Sequence, residues 1–334
     1  MPHNSYALPM PPLFSVSGMR IAIQRDTEER IVVDGVDLEV AAGETLALIG
    51  ESASGKSLIA LGSLDLLSPG ARVVEGTTRF EDVKLQDLPD DDWRRLVGMG
   101  IGVLFQDAIG AWDPLDLMGL QSGEALEEHT ALTEVEIQDR VFAALGEVGL
   151  SKRRHFMAFS HEVSRGQAQR MMLAAALLAA PRFLIADEPL SGLDVTVARA
   201  VLDLIDDLRA KRGMGMLLVT HDVAIVAAVA DRVAVVYAGM IVEQAPVGVI
   251  YRQPRHPYTS GLLGSVPTLV QGRLRPIRGE APDIFDLVPG CPFAPRCDHA
   301  IERCGTTRPA LRQVGESLVA CHRAEELELP GVGE

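Results

Sequence analysis

The sequence predicts an α/β protein: a mostly parallel core sheet, an antiparallel β-subdomain before it, a helical subdomain inserted into it and a small cysteine-bearing extension after it. Three observations carry this expectation. Short apolar strands alternate with apolar-periodic helices, a glycine-bearing turn separates the first such strand from its helix, and every cysteine falls after residue 290.

Residues 1–12 form an expected flexible tail containing prolines. Phe14 to Ile23 and Ile31 to Val40 alternate as antiparallel strands do. Thr45 to Ile49 is a continuous apolar run, the mark of a strand buried on both faces, and a helix is predicted through Leu58, Ile59, Leu61, Leu64 and Leu67. From about 107 to 165 the pattern turns helical, with Glu interspersed among Leu, Val and Ala. Phe183 to Ala186, Met216 to Val219 and Val233 to Tyr237 are expected buried strands, with helices at Val195 to Lys211 and Val223 to Ala230 between them. From Pro246 onward, prolines and glycines break the pattern, so the expected division is 13–245 for the main domain and 246–334 for the extension.

Composition narrows the function. The 334 residues carry 46 acidic against 31 basic side chains, a formal charge of -15, with only 4% aromatics. Little is available to neutralise phosphates or stack on bases, so nucleic acid is not an expected partner. No uninterrupted apolar run reaches membrane-spanning length, and the start lacks the basic and apolar stretches of a secretory leader. The chain is therefore expected neither to span a membrane nor to be secreted.

Gly50-Glu51-Ser52-Ala53-Ser54-Gly55-Lys56-Ser57 fits GxxxxGK[ST] directly between a predicted strand and a predicted helix, the context that a phosphate loop requires. Glycines let the backbone curl close to phosphate, amides at a helix N-terminus face the negative charge, and the lysine meets the outer phosphates. A nucleotide phosphate is the expected ligand, with Gly50, Ser52, Ala53, Ser54, Gly55, Lys56, Ser57 and Leu58 around it and magnesium on Ser57. The strand Phe183 to Ala186 ends in Asp187-Glu188, which places one carboxylate for magnesium and the next for the attacking water.

Four further pieces occur in a fixed order: Gln106 in Val103-Leu104-Phe105-Gln106-Asp107, Ser164-Arg165-Gly166-Gln167 before a helix, Ser191-Gly192-Leu193-Asp194, and His221 in Val219-Thr220-His221-Asp222. Together with the phosphate loop they resemble the Q-loop, signature, D-loop and switch histidine of ATP-binding-cassette (ABC) ATPases, over roughly Leu13 to Val242. The resemblance implies the nucleotide-binding domain of that family within the P-loop NTPases, with two such domains sandwiching two ATP molecules. It implies that Gln106 senses the metal and couples to the membrane subunit, that Glu188 activates water and that His221 contacts the γ-phosphate. Ser164, Gly166 and Gln167, with Asp194, would serve the nucleotide shared with a second cassette.

Two positions depart from the family pattern. Arg165 stands where glycine is usual, so a side chain there could crowd the partner's nucleotide, and a heterodimer with one weakened site is expected. The stretch Gln24 to Arg30 has no aromatic to stack on adenine.

Arg255-His256-Pro257-Tyr258-Thr259, then Gly261-Leu262-Leu263 and Pro267, resemble the segment that follows the ATPase core in oligopeptide and dipeptide importers, as does the tail bearing Cys291, Cys297, Cys304 and Cys321. The cysteine intervals, five, six and sixteen residues, differ from the CxxC pairs of structural zinc. Four thiolates suit a 4Fe-4S cluster; zinc and metal-free thiols stay open, and His299 and His322 leave mixed ligation open. A metal staple would serve an extension with little core of its own.

The expected function is thus ATP hydrolysis driving uptake of di- and oligopeptides. A nickel or other small-solute importer, and a soluble cassette ATPase without membrane partners, are the alternatives. The resemblance implies two transmembrane permease subunits, a second ATPase subunit and an extracytoplasmic substrate-binding protein. It implies a peripheral position on the cytoplasmic face of the cell membrane.

Overall fold

The computed structural model describes residues 12–25, 28–267, 274–283, 285, 287 and 289–332. Apart from Pro12, the tail expected over 1–12 lies outside them. The first two strands, β1 (Phe14–Arg25) and β2 (Glu28–Val40), pair antiparallel from Phe14 opposite Val40 to Arg25 opposite Glu28. After β3 (Thr45–Ile49) and α1 (Lys56–Gly62), β4 (Ala71–Phe80) returns to the other edge of β1 and β5 (Val83–Lys84) follows it. This four-stranded sheet, in the order β2-β1-β4-β5, is the expected antiparallel subdomain.

Helix α2 (Asp90–Met99) opens with Asp90, Asp91 and Asp92, whose charges favour a helix N-terminus, and leads into β6 (Ile101–Leu104). The helical insert holds α3 (Met118–His129), α4 (Glu134–Glu147) and α5 (Lys152–Phe156). Thr133 begins α4 with a reciprocal cap: its hydroxyl accepts the Glu136 amide while the Glu136 carboxylate accepts the Thr133 amide. Then come α6 (Arg165–Leu177), β7 (Phe183–Asp187), α7 (Val195–Arg212), β8 (Gly215–Val219), α8 (Val223–Val229), β9 (Arg232–Tyr237) and β10 (Met240–Pro246). The remainder holds α9 (Val247–Arg252), α10 (Pro257–Gly264), α11 (Glu302–Thr306) and the short strands β11 (Arg312–Val314) and β12 (Ser317–Val319).

The main sheet has eight strands in the order β11-β12-β10-β9-β3-β8-β7-β6. Pairing is parallel from β9 through β3, β8 and β7 to β6, and antiparallel from β9 through β10 and β12 to β11. Period-two alternation sends successive residues to opposite cores. Leu46, Leu48, Phe183, Ile185, Leu217 and Val219 pack against α1 and the β-subdomain. Leu184, Ala186, Met216 and Leu218 face α6, α7 and the helical insert, while Ala47, Ile49, Val233 and Val235 pack with residues of α8, α9 and α10.

One expectation changes. The first helix stops at Gly62, because Asp65 adopts φ 57 and the Leu66 amide donates back to the Leu61 carbonyl, closing the helix end; Leu64 is buried beyond it. Beyond residue 246, β12 pairs with β10 through Glu243 opposite Val319 and extends the main sheet.

Glu243 fixes the extension from inside. It is fully buried on β10, and its carboxylate accepts the amides of Arg255 (2.7 Å) and His256 (2.9 Å). Burial pushes the Glu243 carboxyl up from its ordinary range, and these amides partly offset the effect. His256 is buried as well; desolvation drives its imidazole down to about 3, so the neutral ring accepts the Tyr258 amide at 3.0 Å and caps α10. Glu243→Ala would strand two buried amides, and we expect it to cost about 2–5 kcal/mol in urea unfolding. A loss below about 1 kcal/mol would remove Glu243 from this role.

Candidate functional site

Four neighbouring parallel strands, β3, β8, β7 and β6, deliver the chemistry at their carboxyl ends, where open α/β sheets bind ligands. The phosphate loop follows β3, His221 follows β8, Asp187 closes β7 with Glu188 next to it, and Gln106 follows β6.

The loop's backbone accounts for its glycines. A Cβ at Gly50 would lie 2.2 Å from the Val236 carbonyl oxygen of β9, and Gly55, at φ 101, is the left-handed residue from which α1 starts. Lys56 is buried, and its ammonium donates to the carbonyls of Gly50 (3.0 Å) and Glu51 (2.8 Å). Desolvation lowers the Lys56 pKa, and the charges of Glu188, Asp187 and Glu51 work against it. The Ser57 hydroxyl donates to Asp187 Oδ1 at 2.8 Å. Burial raises the Asp187 carboxyl, while Ser57 and then Lys56 pull it down and Glu188 pushes it further up. Ser54 Oγ is buried in the loop and has no hydrogen-bond partner among the described residues.

The three residues expected to carry the chemistry meet at one oxygen. Gln106 Nε2 donates to Glu188 Oε2 at 3.2 Å, and His221 Nδ1 lies 3.2 Å from the same atom. Glu188 sits at φ 43, a left-handed conformation uncommon for a glutamate, and its amide donates to the Val219 carbonyl of β8 at 2.9 Å. Its side chain is largely enclosed, whereas His221 is open to solvent.

The signature residues lie apart from this cluster, beside the turn 191–194. Ser164 caps α6: its oxygen accepts the Gln167 amide (3.3 Å) while Gln167 Oε1 accepts the Ser164 amide (3.0 Å). That leaves the Ser164 O–H proton free to be donated elsewhere, and the residue is exposed. Asp194 caps α7 by accepting the amides of Thr196 and Val197. Arg165 lays its guanidinium against Gly192, whose missing side chain makes the room: a Cβ there would lie 2.1 Å from Arg165 Nη1.

The four cysteines are free thiols lining one small cavity of about 20 Å³, with His256, His299 and His322 also on its walls. Burial pushes Cys291 and Cys321 up to about 11 and raises Cys297. His322 Nε2 is engaged with the Thr307 carbonyl at 2.8 Å. Among the described residues, no group of three or more His, Cys, Asp or Glu side chains is arranged to hold a metal ion.

Sequence reasoning left three residues out of the site. Glu51, inside the motif, accepts a forked pair of hydrogen bonds from Arg296 (2.6 and 2.9 Å), and its amide donates to the Tyr258 hydroxyl at 2.8 Å. Tyr258 and Arg296 lie in segments that stand out by composition, but no local pattern ties either to a loop some two hundred residues earlier.

A glycine-rich turn leading into a helix N-terminus, with a buried lysine and with carboxylates at the adjacent strand ends, defines a P-loop nucleotide-binding protein. Residues 33–191 match the ABC transporter family, and residues 242–304 match the oligopeptide/dipeptide transporter C-terminal region. The oligopeptide transport ATP-binding protein AppD of Bacillus subtilis is 39% identical over 307 residues, covering 90% of this chain and 93% of that protein. The dipeptide transport ATP-binding protein DppD of Haemophilus influenzae is 38% identical over 293 residues, covering 87% and 89%. The oligopeptide transport ATP-binding protein OppD of Mycobacterium bovis is 42% identical over 322 residues, 95% of this chain but 52% of that protein, so the chain spans about half the length of this relative. The chain belongs to the ATP-binding proteins of ABC transporters, in the group with the oligopeptide/dipeptide C-terminal region. In fold it is similar to a dimeric ATP-binding cassette solved in a post-hydrolysis state with ADP and Pi, at TM-score 0.63 and 24% identity over 70% of this chain and 98% of that one.

Proposed function

We propose that this chain is the ATP-hydrolysing subunit of an importer of di- and oligopeptides. The observation that carries the reading is the single oxygen of Glu188 held by both Gln106 and His221, beside the Lys56, Ser57 and Asp187 cluster. With Oε2 engaged, Oε1 can orient and deprotonate a water for in-line attack on the γ-phosphorus, giving ADP and phosphate. Lys56 exchanges its carbonyl partners for phosphate oxygens, and loop amides at the start of α1 meet the remaining charge. His221, exposed and beside Glu188, would contact the γ-phosphate.

The donor set fits magnesium: a hydroxyl and a buried carboxylate already face each other, with Gln106 nearby. Ser57, Asp187 and Gln106 would hold the ion, which when bound neutralises charge on the phosphates. Four thiols around one cavity, Cys304 buried and the others half-buried, likewise fit a soft metal group, and we favour a 4Fe-4S cluster on Cys291, Cys297, Cys304 and Cys321 over zinc. Its role would be to staple the extension.

Peptides as cargo are supported by the match of 242–304 and by the similarity to oligopeptide and dipeptide transport ATP-binding proteins. Among the described residues no helix is long and apolar enough to cross a membrane, so transport requires partners. Permease docking is supported by a cavity of about 450 Å³ on the helical insert, lined by Glu124, Glu127 and Glu134 beside exposed Leu120 and Val135. An extracytoplasmic binding protein would select the peptide, and the chain would sit on the cytoplasmic face of the membrane. Exposed Ser164, with Gly166 and Gln167 at the start of α6, would complete the ATP site of a second, different ATPase subunit, with Asp194 in the adjoining turn. Arg165 is the reason to expect a heterodimer, because a bulky cation at a position usually taken by glycine would crowd that nucleotide.

Glu188→Gln should lower steady-state ATP turnover by about 10²–10⁴-fold while ATP binding persists; turnover within threefold of the native rate would refute the base assignment. Arg165→Gly should raise ATP affinity at the partner's site by about tenfold in the assembled transporter, and an unchanged affinity would end the weakened-site reading. Anaerobically purified protein should absorb broadly near 400 nm with about four iron per chain, both lost in Cys297→Ser. Stoichiometric zinc, or no metal, would exclude the cluster.

A further inference from the structure

The phosphate loop is held from outside the nucleotide site. Glu51, the second residue of the motif, is grasped at both of its polar ends by residues from beyond 246. Its carboxylate takes the forked guanidinium of Arg296, and its amide donates to the hydroxyl of Tyr258. Each holder is itself fixed. The Arg296 side chain is only 7% exposed; it also donates to the carbonyls of Arg278 and Gly279 and to the Tyr237 hydroxyl, and it lies over the Tyr237 and Phe293 rings. Tyr258 is fully buried in an aromatic cluster, 4.5 Å between ring centroids from Tyr237 and 5.4 Å from Phe293. Upstream, the Tyr258 amide is tied to His256, whose own amide is tied to Glu243 on the main sheet.

We propose that Arg296 and Tyr258 are positioning residues for ATP: by clamping Glu51 they hold the phosphate loop in its binding conformation, so that the extension sets nucleotide affinity. This inference rests on the reading of the loop as an ATP site. The reasoning is one of preorganisation. The loop runs through Ala53 at φ 60 and Gly55 at φ 101, and a glycine-bearing segment of this kind loses affinity in proportion to the time it spends in other conformations. Glu51 adjoins Gly50, and the carbonyls of both anchor Lys56, so displacing Glu51 disturbs the lysine directly. A forked guanidinium–carboxylate pair whose guanidinium is shielded from water fixes orientation as well as distance, which a lysine could not reproduce. Coupling between the two regions is reciprocal, so nucleotide must also stabilise the extension.

The test measures the equilibrium Kd for Mg-ATP by calorimetry on the full chain, for native protein, Arg296→Met, Glu51→Gln, the double variant, Arg296→Lys and Tyr258→Phe. Arg296→Met and Glu51→Gln should each weaken ATP by roughly tenfold, the double variant by no more than either, and Arg296→Lys by an intermediate amount. Tyr258→Phe keeps the ring packed and should weaken ATP several-fold with a melting temperature near native, which separates loop positioning from general unfolding. Hydrogen exchange of the 50–57 amides should accelerate in Arg296→Met and Tyr258→Phe relative to the strands of the main sheet. Native-like Kd values in Arg296→Met and Tyr258→Phe, or strictly additive losses in the double variant, would overturn the clamp and leave the ATP site standing. Failure of native protein to bind Mg-ATP would overturn both.

Discussion

A buried ammonium with carboxylates close by is the arrangement on which the rest of the structure depends. Lys56 cannot be desolvated cheaply, and in this chain the cost is met by two carbonyls and by the fields of Glu188, Asp187 and Glu51. Those groups arrive from separate stretches of sequence: the loop itself and the end of β7. Holding them at mutual distances of a few ångströms requires a sheet whose neighbouring strands end together, which the parallel register of β3, β8, β7 and β6 provides. The helical layers then follow from the two apolar faces that such a sheet must cover.

The same arrangement explains why so much was legible beforehand. Strands buried on both faces read as apolar runs, and Thr45–Ile49 was placed to the residue; β7 and β8 differed by one position at one end. The loop, Asp187, Glu188, Gln106 and His221 come together because each sits beside a strand end that sequence can locate. Strands β4 and β6 were harder. Ala71–Phe80 is a half-buried strand of the β-subdomain without clean alternation, and Ile101–Leu104 has only four residues.

What remained hidden was long-range and side-chain mediated. The addition of β12 to β10 depends on pairing across some seventy residues, and three-residue strands carry no periodicity to detect. The grip of Arg296 and Tyr258 on Glu51 is likewise a tertiary contact with no local signature. Arg165 was visible as a departure, but only coordinates reveal that its side chain leans on Gly192 and so depends on that glycine as much as on its own position. Capping gave a further lesson. Ser164 and Asp194 terminate helices in the standard way, so residues valued for a ligand also meet an ordinary backbone need.

The two small strands of the extension have a consequence for chain boundaries. Strand β10 is buried along most of its length, and one of its edges is occupied by β12, which is covered in turn by the three-residue β11. The sheet therefore ends on a short, polar-flanked strand, a form of edge that resists joining another molecule. Cutting the chain after residue 246 would uncover the longer edge of β10, with Glu243 and Gln244 at its centre, and leave the Glu243 carboxylate without the two amides it holds. The extension thus also closes one edge of the main sheet, and a chain cut there would present unpaired backbone groups to other molecules.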